Sequence, residues 1–217
     1  MPEILQNAIK MQQSIEKLSD VKRTETLLYS DITGDIATKI ATLVNERVDN
    51  KKRVEILNEI IRNKGFNVIP RTSNKTKIFG TIRKDDLEYG DNLNAAKALN
   101  NIGYDVYMLP RVLGSKSFDY ILVKNSNIYA AELKTIYGKN SLDHRLEKAS
   151  MQTDRIVLNI VGNVSSRYVA DEIKDFYLNN PHIREIIVLR GGKPIYVRYG
   201  QVTQKDFVEH FMKRWAW

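Results

Sequence analysis

Residues 127–138 read NIYAAELKTIYG. The run from Ile128 to Leu133 is short, apolar and bounded by polar residues, which is the pattern of a buried strand. Glu132 and Lys134 interrupt it two positions apart. Side chains alternate between faces along a strand, so this spacing sets a carboxylate and an ammonium side by side on one face. A buried charge is costly unless it is paired or hydrogen-bonded. A fold that contains this strand therefore has to bring compensating groups to the same place.

The neighbouring segments supply the frame. Phe118–Lys124 (FDYILVK) reads as a strand and 125–127 as a tight turn, so 118–124 and 128–135 form a hairpin. Asp119, thirteen residues before Glu132, then sits near the charged end of its partner strand. Asp91 is placed to cap a helix over about 92–102, with Leu93, Ala96 and Leu99 facing inward and Gly103 at its end. Tyr104–Leu109 reads as a strand closed by Pro110. Beyond the hairpin the pattern predicts a helix at 141–153, a strand at 155–161 and a helix at 165–179. Strands at 183–189 and 194–198 are joined by Gly191-Gly192, and a closing helix spans 203–215. The order α-β-β-β-α-β-α-β-β-α describes an α/β fold, a mixed sheet flanked by helices.

Upstream, apolar periodicity predicts helices at 3–19, 34–48 and 50–64, the last stopped by Gly65. This helical N-terminal segment, 1–64, reads as a packing or docking module. Residues 65–90 are polar and irregular and read as a connector, with short extended pieces near 67–69 and 78–82. Residues 91–217 form the main domain.

Charge narrows the function. The chain carries a formal +8, and the excess is uneven: residues 1–64 hold 11 Lys/Arg against 10 Asp/Glu, residues 65–217 hold 23 against 16. A basic surface on the part that carries the charged strand points to a polyanion such as nucleic acid. There is no cysteine, which excludes disulfides, thiolate metal sites and cysteine catalysis. No apolar run approaches the roughly 20 residues a membrane span needs. The amphipathic start, MPEILQNAIKMQQSIEKL, does not have the form of a secretion signal.

Two carboxylates and a lysine converging suit phosphodiester hydrolysis. Asp119 and Glu132 offer hard oxygen ligands for Mg²⁺ or another divalent cation. Such an ion polarises a phosphate and lowers the pKa of a bound water. Lys134 would orient that water or neutralise charge in the transition state.

The pattern Asp119…Glu132-Leu133-Lys134, on a hairpin between two helices, resembles the PD-(D/E)XK nuclease superfamily. The α-β-β-β-α-β order of residues 91–161 is similar to that family's core. Phe118 stands where the family's name has proline. Within the superfamily the chain looks most like C-terminal toxin domains of contact-dependent growth inhibition proteins, several of which are tRNA nucleases. The segments that carry this are DNLNAAKALNNIGYDVYMLP (91–110), KSFDYILV (116–123), AELKT (131–135), QTDRIVLNI (152–160) and REIIVLRGGKPIYV (184–197).

The resemblance implies a metal-dependent endonuclease with Asp119, Glu132 and Lys134 as its catalytic set. Related nucleases add an acid on the first helix, for which Asp91 is the candidate and Glu88 the alternative; either also reads as an ordinary helix-start acid. Gln152 falls where related enzymes place a polar active-site residue, and also reads as a surface glutamine. Lys116 and Ser117, and Lys139, His144, Arg145 and Lys148 around the next helix, are candidate phosphate contacts or a solvated face. A toxin would act in the cytoplasm of a target cell, delivered as part of a larger protein, and would have an acidic immunity protein as partner. The competing readings are a DNA endonuclease of restriction or mobile-element type, and an inactive nucleic-acid-binding protein that retains the core.

Overall fold

The turn at Asn125-Ser126 sets the register of the central hairpin. Both residues have positive φ, 50° and 63°, the combination that lets a two-residue connection match the twist of its flanking strands. Strand β4 (Tyr120–Lys124) therefore pairs antiparallel with β5 (Asn127–Ile136), Lys124 opposite Asn127 and Tyr120 opposite Ala131. One step further along this register, Asp119 faces Glu132.

The structure, a computed structural model, describes residues 38–39, 42–43, 48–62, 67–69, 76–80, 88–109, 118–139, 142–191 and 194–215. The helix expected at 3–19 lies outside these residues, as do most of 34–48 and both Lys116 and Ser117. The described residues form an α/β fold with one eight-stranded mixed sheet, its strands in chain order. The remaining strands are β1 (Asn67–Ile69), β2 (Ile78–Gly80), β3 (Asp105–Met108), β6 (Arg155–Ile160), β7 (Glu185–Leu189) and β8 (Ile195–Val197). Three neighbouring pairs are parallel, β2 with β3, β5 with β6 and β6 with β7. Parallel neighbours need crossovers, and these are the helices α2 (Tyr89–Asn101), α3 (Leu142–Ser150) and α4 (Ser166–Asn179). Helix α1 (Asn50–Arg62) precedes the sheet. The short α5 (Tyr199–Val202) and α6 (Phe207–Trp215) follow it.

Three differences from the sequence reading have local causes. The extended pieces at 67–69 and 78–80 are paired strands of the sheet, because Ile69 and Ile78 join the buried cluster under α2 and Phe79 stacks on Tyr107 with ring centroids 4.6 Å apart. Helix α2 starts at Tyr89 rather than near residue 92, with Glu88 at its N-cap and Asp91 inside the first turn. Tyr89 and Leu93 both pack on the core, so packing extends the helix back by a turn, and Asp91 suits the positive end of the helix dipole. The closing helix expected over 203–215 starts only at Phe207, with Phe207 and Phe211 buried in α6, and the separate short α5 at Tyr199–Val202 precedes it.

The core lies on both faces of the sheet. On one face, Ala95, Ala96 and Leu99 of α2 cover Val106, Tyr120, Leu122, Ala131 and Leu133. The other face carries two separate clusters. One joins α1 and Leu43 to Phe79, Tyr107, Ile121 and Ile128. Another joins α3, α4 and α6 to Ile136, Ile156, Leu158, Ile186 and Val188. Arg53 fastens α1 down, its guanidinium donating to the carbonyls of Leu43 and Ile128 at 2.7 Å each.

The end of β5 is fixed by a close approach. The amides of Val161 and Gly162 both donate to the Ile136 carbonyl, at 3.0 and 3.1 Å. A Cβ on Gly162 would lie 1.8 Å from the carbonyl oxygen of Tyr137. Gly162→Ala is expected to lower stability by about 1–3 kcal/mol, as overpacked sites do. The midpoint of urea unfolding measures this, and an unchanged midpoint would remove the close approach as a constraint.

Candidate active site

Ile128, Glu132, Lys134 and Ile136 share one face of β5. Ile128 belongs to the cluster under α1 and Ile136 to the cluster under α3 and α4. Glu132 and Lys134 thus fall at the seam between two apolar cores. The sheet forces this: the strand must cross the seam between the two clusters.

Glu132 is only 3% exposed. Its Oε1 accepts a hydrogen bond from Lys134 Nζ, while its Oε2 is buried with no hydrogen-bond partner. Asp119, across the hairpin, accepts the Leu133 amide on Oδ2 at 2.9 Å, and its own carbonyl accepts from the Leu109 amide at 2.9 Å. These backbone bonds hold Asp119 at the head of β4 with its charge beside Glu132. Burial is the first cause that pushes the Glu132 carboxyl up to about 7, and the Asp119 charge is the second; Lys134, and to a smaller extent the Asp119 backbone amide, pull the other way. A buried acid beside a second acid, with one oxygen unsatisfied, is short of positive charge. Lys134 supplies part of it. The remaining orphan oxygen and the hard-donor pair fit a divalent cation.

The other expected residues are distributed as follows. Asp91 accepts a hydrogen bond from the Tyr137 hydroxyl, on the α2 side of the sheet, and Glu88 adds its charge to the same tyrosine. Asp91 is not brought to Asp119 and Glu132; among the described residues no three His, Asp or Glu side chains gather closely enough to hold a metal. The two-carboxylate pair is formed, and the third ligand expected from α2 is not. Arg145 is half-buried and donates to the Thr135 carbonyl at 2.9 Å, so it braces β5. His144 and Lys148 lie exposed on α3. Lys139 is exposed, with its carbonyl accepting from the Tyr168 hydroxyl. Gln152 bonds back to its own helix end at the Lys148 carbonyl, 3.5 Å. Tyr137 was not singled out from sequence. Its signal was present: it lies on the same face of the strand as Leu133 and Thr135, one residue beyond the end of β5.

No protein-family model matches the chain, and no curated protein sequence matches it. A solved structure described as a CdiA-CT/CdiI toxin and immunity complex from Burkholderia pseudomallei is similar at 23% identity. The match covers 54% of this chain and 93% of that one, with a TM-score of 0.36. A likeness at that score carries no argument about function. No described helix is long and apolar enough to cross a membrane.

The raised Glu132 pKa sets a pH dependence. The folded state keeps a proton on Glu132 between about pH 4.5 and 7 that the unfolded chain releases. That contribution is complete below about pH 4.5 and is lost as pH rises through 7. Glu132→Gln, which keeps the neutral shape, is expected to melt above the wild type at pH 8 in EDTA, with the gap closing by pH 5. Thermal melts across this range test it; a gap that does not change with pH sinks the assignment. Mg²⁺ is expected to raise the wild-type melting temperature at pH 8 and to leave Glu132→Gln unmoved.

Proposed function

We propose that the protein is a metal-dependent nuclease of the PD-(D/E)XK type that hydrolyses phosphodiester bonds. The observation that carries this reading is the Glu132 carboxylate, buried at a seam in the core, opposite Asp119, bonded to Lys134 and left with one unsatisfied oxygen. Structural ion pairs are usually satisfied, and an orphaned buried acid in a basic chain favours a functional role. The strand pattern supports it: α2, the antiparallel β3-β4-β5 and the parallel β6 after α3 follow the order of that family's core.

In this reading Asp119 and Glu132 hold Mg²⁺ or a similar cation, which when bound polarises a phosphoryl oxygen and lowers the pKa of water. The protein's own contribution is positioning and charge. The backbone bonds on Asp119 fix one ligand arm, and the β5 strand fixes the other. Lys134 sits beside the reacting phosphate, where its ammonium orients the attacking water and offsets charge that develops on phosphorus oxygens. The water oxygen would bond to phosphorus as the ester P–O bond breaks, the water's proton passing to solvent and the leaving oxygen taking one from solvent, so that Lys134 stays an ammonium throughout. The apolar clusters on either side exclude bulk water, which strengthens each of these interactions.

The motifs at 91–110, 116–123, 131–135, 152–160 and 184–197 extend the proposal to a toxin-type tRNA nuclease. It would be delivered into a target cell as part of a larger protein, act in the cytoplasm and be held in check by an acidic immunity protein.

Incubation with total tRNA and with plasmid DNA, each with Mg²⁺ or EDTA, tests the proposal. Cleavage is expected with Mg²⁺, with tRNA the better substrate, and none in EDTA. Lys134→Ala and Glu132→Gln are expected to lower the rate by about 100-fold or more, the scale of removing one charge-stabilising group. Cleavage by Lys134→Ala at the wild-type rate refutes the catalytic assignment. Preference for plasmid DNA would move the substrate to the DNA class.

A further inference from the structure

The structure assigns a second, separate nucleic-acid contact: we infer that the tyrosine- and arginine-lined pocket at the turn end of the sheet binds one nucleotide unit of a strand, phosphate first. This deepens the nuclease reading in its choice of ligand, and it sits away from the proposed catalytic pair. Tyr129 and Glu132 are on opposite faces of β5. Three residues of strand also separate them along the sheet, about 10 Å.

The pocket is an open hollow of about 410 Å³, the size that takes a small-molecule ligand. Its walls come from one end of five strands. The register puts Ala131, Arg155, Glu185 and Arg198 in a row on the α2 side of the sheet, with Tyr129 two residues from Ala131 on the same face and Tyr196 two residues from Arg198. Lys124 enters from the hairpin, one of its three ammonium hydrogens donated to the Ile102 carbonyl at 2.8 Å, and Arg184 from the head of β7. Four cations thus meet two acids, Glu185 and Asp154, so the hollow keeps a positive excess.

The acids act as orienters. Glu185 is only 9% exposed and takes both Nε and Nη2 of Arg198 on one oxygen, at 2.9 and 2.8 Å. Arg198 is nevertheless 69% exposed at its side chain. Glu185 takes the Nε–Nη2 edge of the guanidinium. Asp154 holds Arg184 through Oδ2 at 2.8 Å and Arg155 through Oδ1 at 3.3 Å. An exposed arginine on a solvated face pays entropy to meet an anion; here it is already held, so binding costs less.

The remaining walls fit a nucleotide better than a carboxylate. A single acidic side chain does not fill a hollow of this size. The guanidinium of Arg155 lies over the Tyr129 ring at 4.4 Å and Lys124 Nζ over the Tyr104 ring at 4.7 Å. These ring faces are already covered, so a base would meet guanidinium planes and tyrosine edges. Asn125 and Asn127 at the rim carry amides that can pair with a base edge.

The test measures binding of an end-labelled single-stranded RNA to the full chain in EDTA, by fluorescence anisotropy, so that cleavage plays no part. Lys124→Gln/Arg184→Gln is expected to weaken binding about tenfold and to flatten the slope of log K against log salt by about 0.7, one phosphate contact on a single strand. Arg167→Gln/Lys205→Gln, the same charge change on the helical side, is expected to move either value far less. Asn127→Asp, at the exposed first residue of β5, whose side-chain amide also donates to the Asn125 carbonyl at 3.3 Å, is expected to weaken binding severalfold, and thermal melts check that the hairpin is kept. Equal weakening by the two double variants overturns the inference. So does competition by poly-glutamate as strong as that of unlabelled RNA, which would make the pocket a carboxylate dock. If cleavage fails while this binding pattern holds, the catalytic reading falls and the pocket stands; the reverse result removes the pocket alone.

Discussion

A carboxylate cannot sit at the boundary of two apolar cores unless positive charge comes to it, and Glu132 sits there. Much of the local architecture answers that demand. Lys134 lies two residues on along the same strand, so the pleat alone delivers its ammonium to the Glu132 oxygen. Asp119 makes the demand larger, since a second acid raises the cost of the first. It is held there by two backbone bonds that a misplaced strand would forfeit. Taking an ion out of water costs several kcal/mol even after relaxation. A chain that keeps two acids in this position holds a site that is incompletely satisfied, and that is the mark of a place where something binds.

The hairpin turn decides whether any of this forms. With Asn125 and Ser126 at positive φ, Lys124 pairs with Asn127 and the ladder runs without a bulge to Tyr120 and Ala131. A slip of one residue would send Glu132 and Lys134 to the α2 side, where Ala131 and Leu133 now pack against Ala95 and Leu99. The apolar residues on both faces therefore lock the register that the charged residues require. The N-terminal helix adds a wall: Arg53 ties α1 to the Ile128 carbonyl, four residues from Glu132 on the same face.

The sequence was most readable where one physical signal dominated. The strand 127–136 announced itself by apolar continuity with two charges in phase, and its partner by a turn and an acid at matching distance. α4 was legible at its start, where Ser165 caps it by accepting from the Tyr168 amide. Legibility failed where tertiary contacts overrode local pattern. Nothing local shows that Tyr89 packs and so draws α2 back past Asp91. Strands of three residues, as in β1 and β2, carry too little periodicity to stand out from a polar connector; only their pairing with β3 defines them. Arg145 shows the same limit for charge. On a helix diagram it reads as a phosphate contact, yet it is spent on the Thr135 carbonyl.

The cations of the turn-end pocket were invisible for a related reason. Lys124, Arg155, Arg184 and Arg198 are scattered across 75 residues and belong to no motif. Each follows the ordinary role of a strand-end charge when read alone. The sheet collects them because its strands lie in chain order, so the ends of β4 through β8 that meet the hairpin turn fall side by side. The same strand, β5, gives Glu132 to one face and Tyr129 to the other. The proposed catalytic acids and the proposed basic anchor can then share one rigid element without neutralising each other, because the sheet itself separates them. A strand of nucleic acid that engaged both would have to reach around the sheet's end, which an extended or folded RNA can do and a mononucleotide cannot. On this geometry, substrate length rather than base identity is the property the two sites together would select.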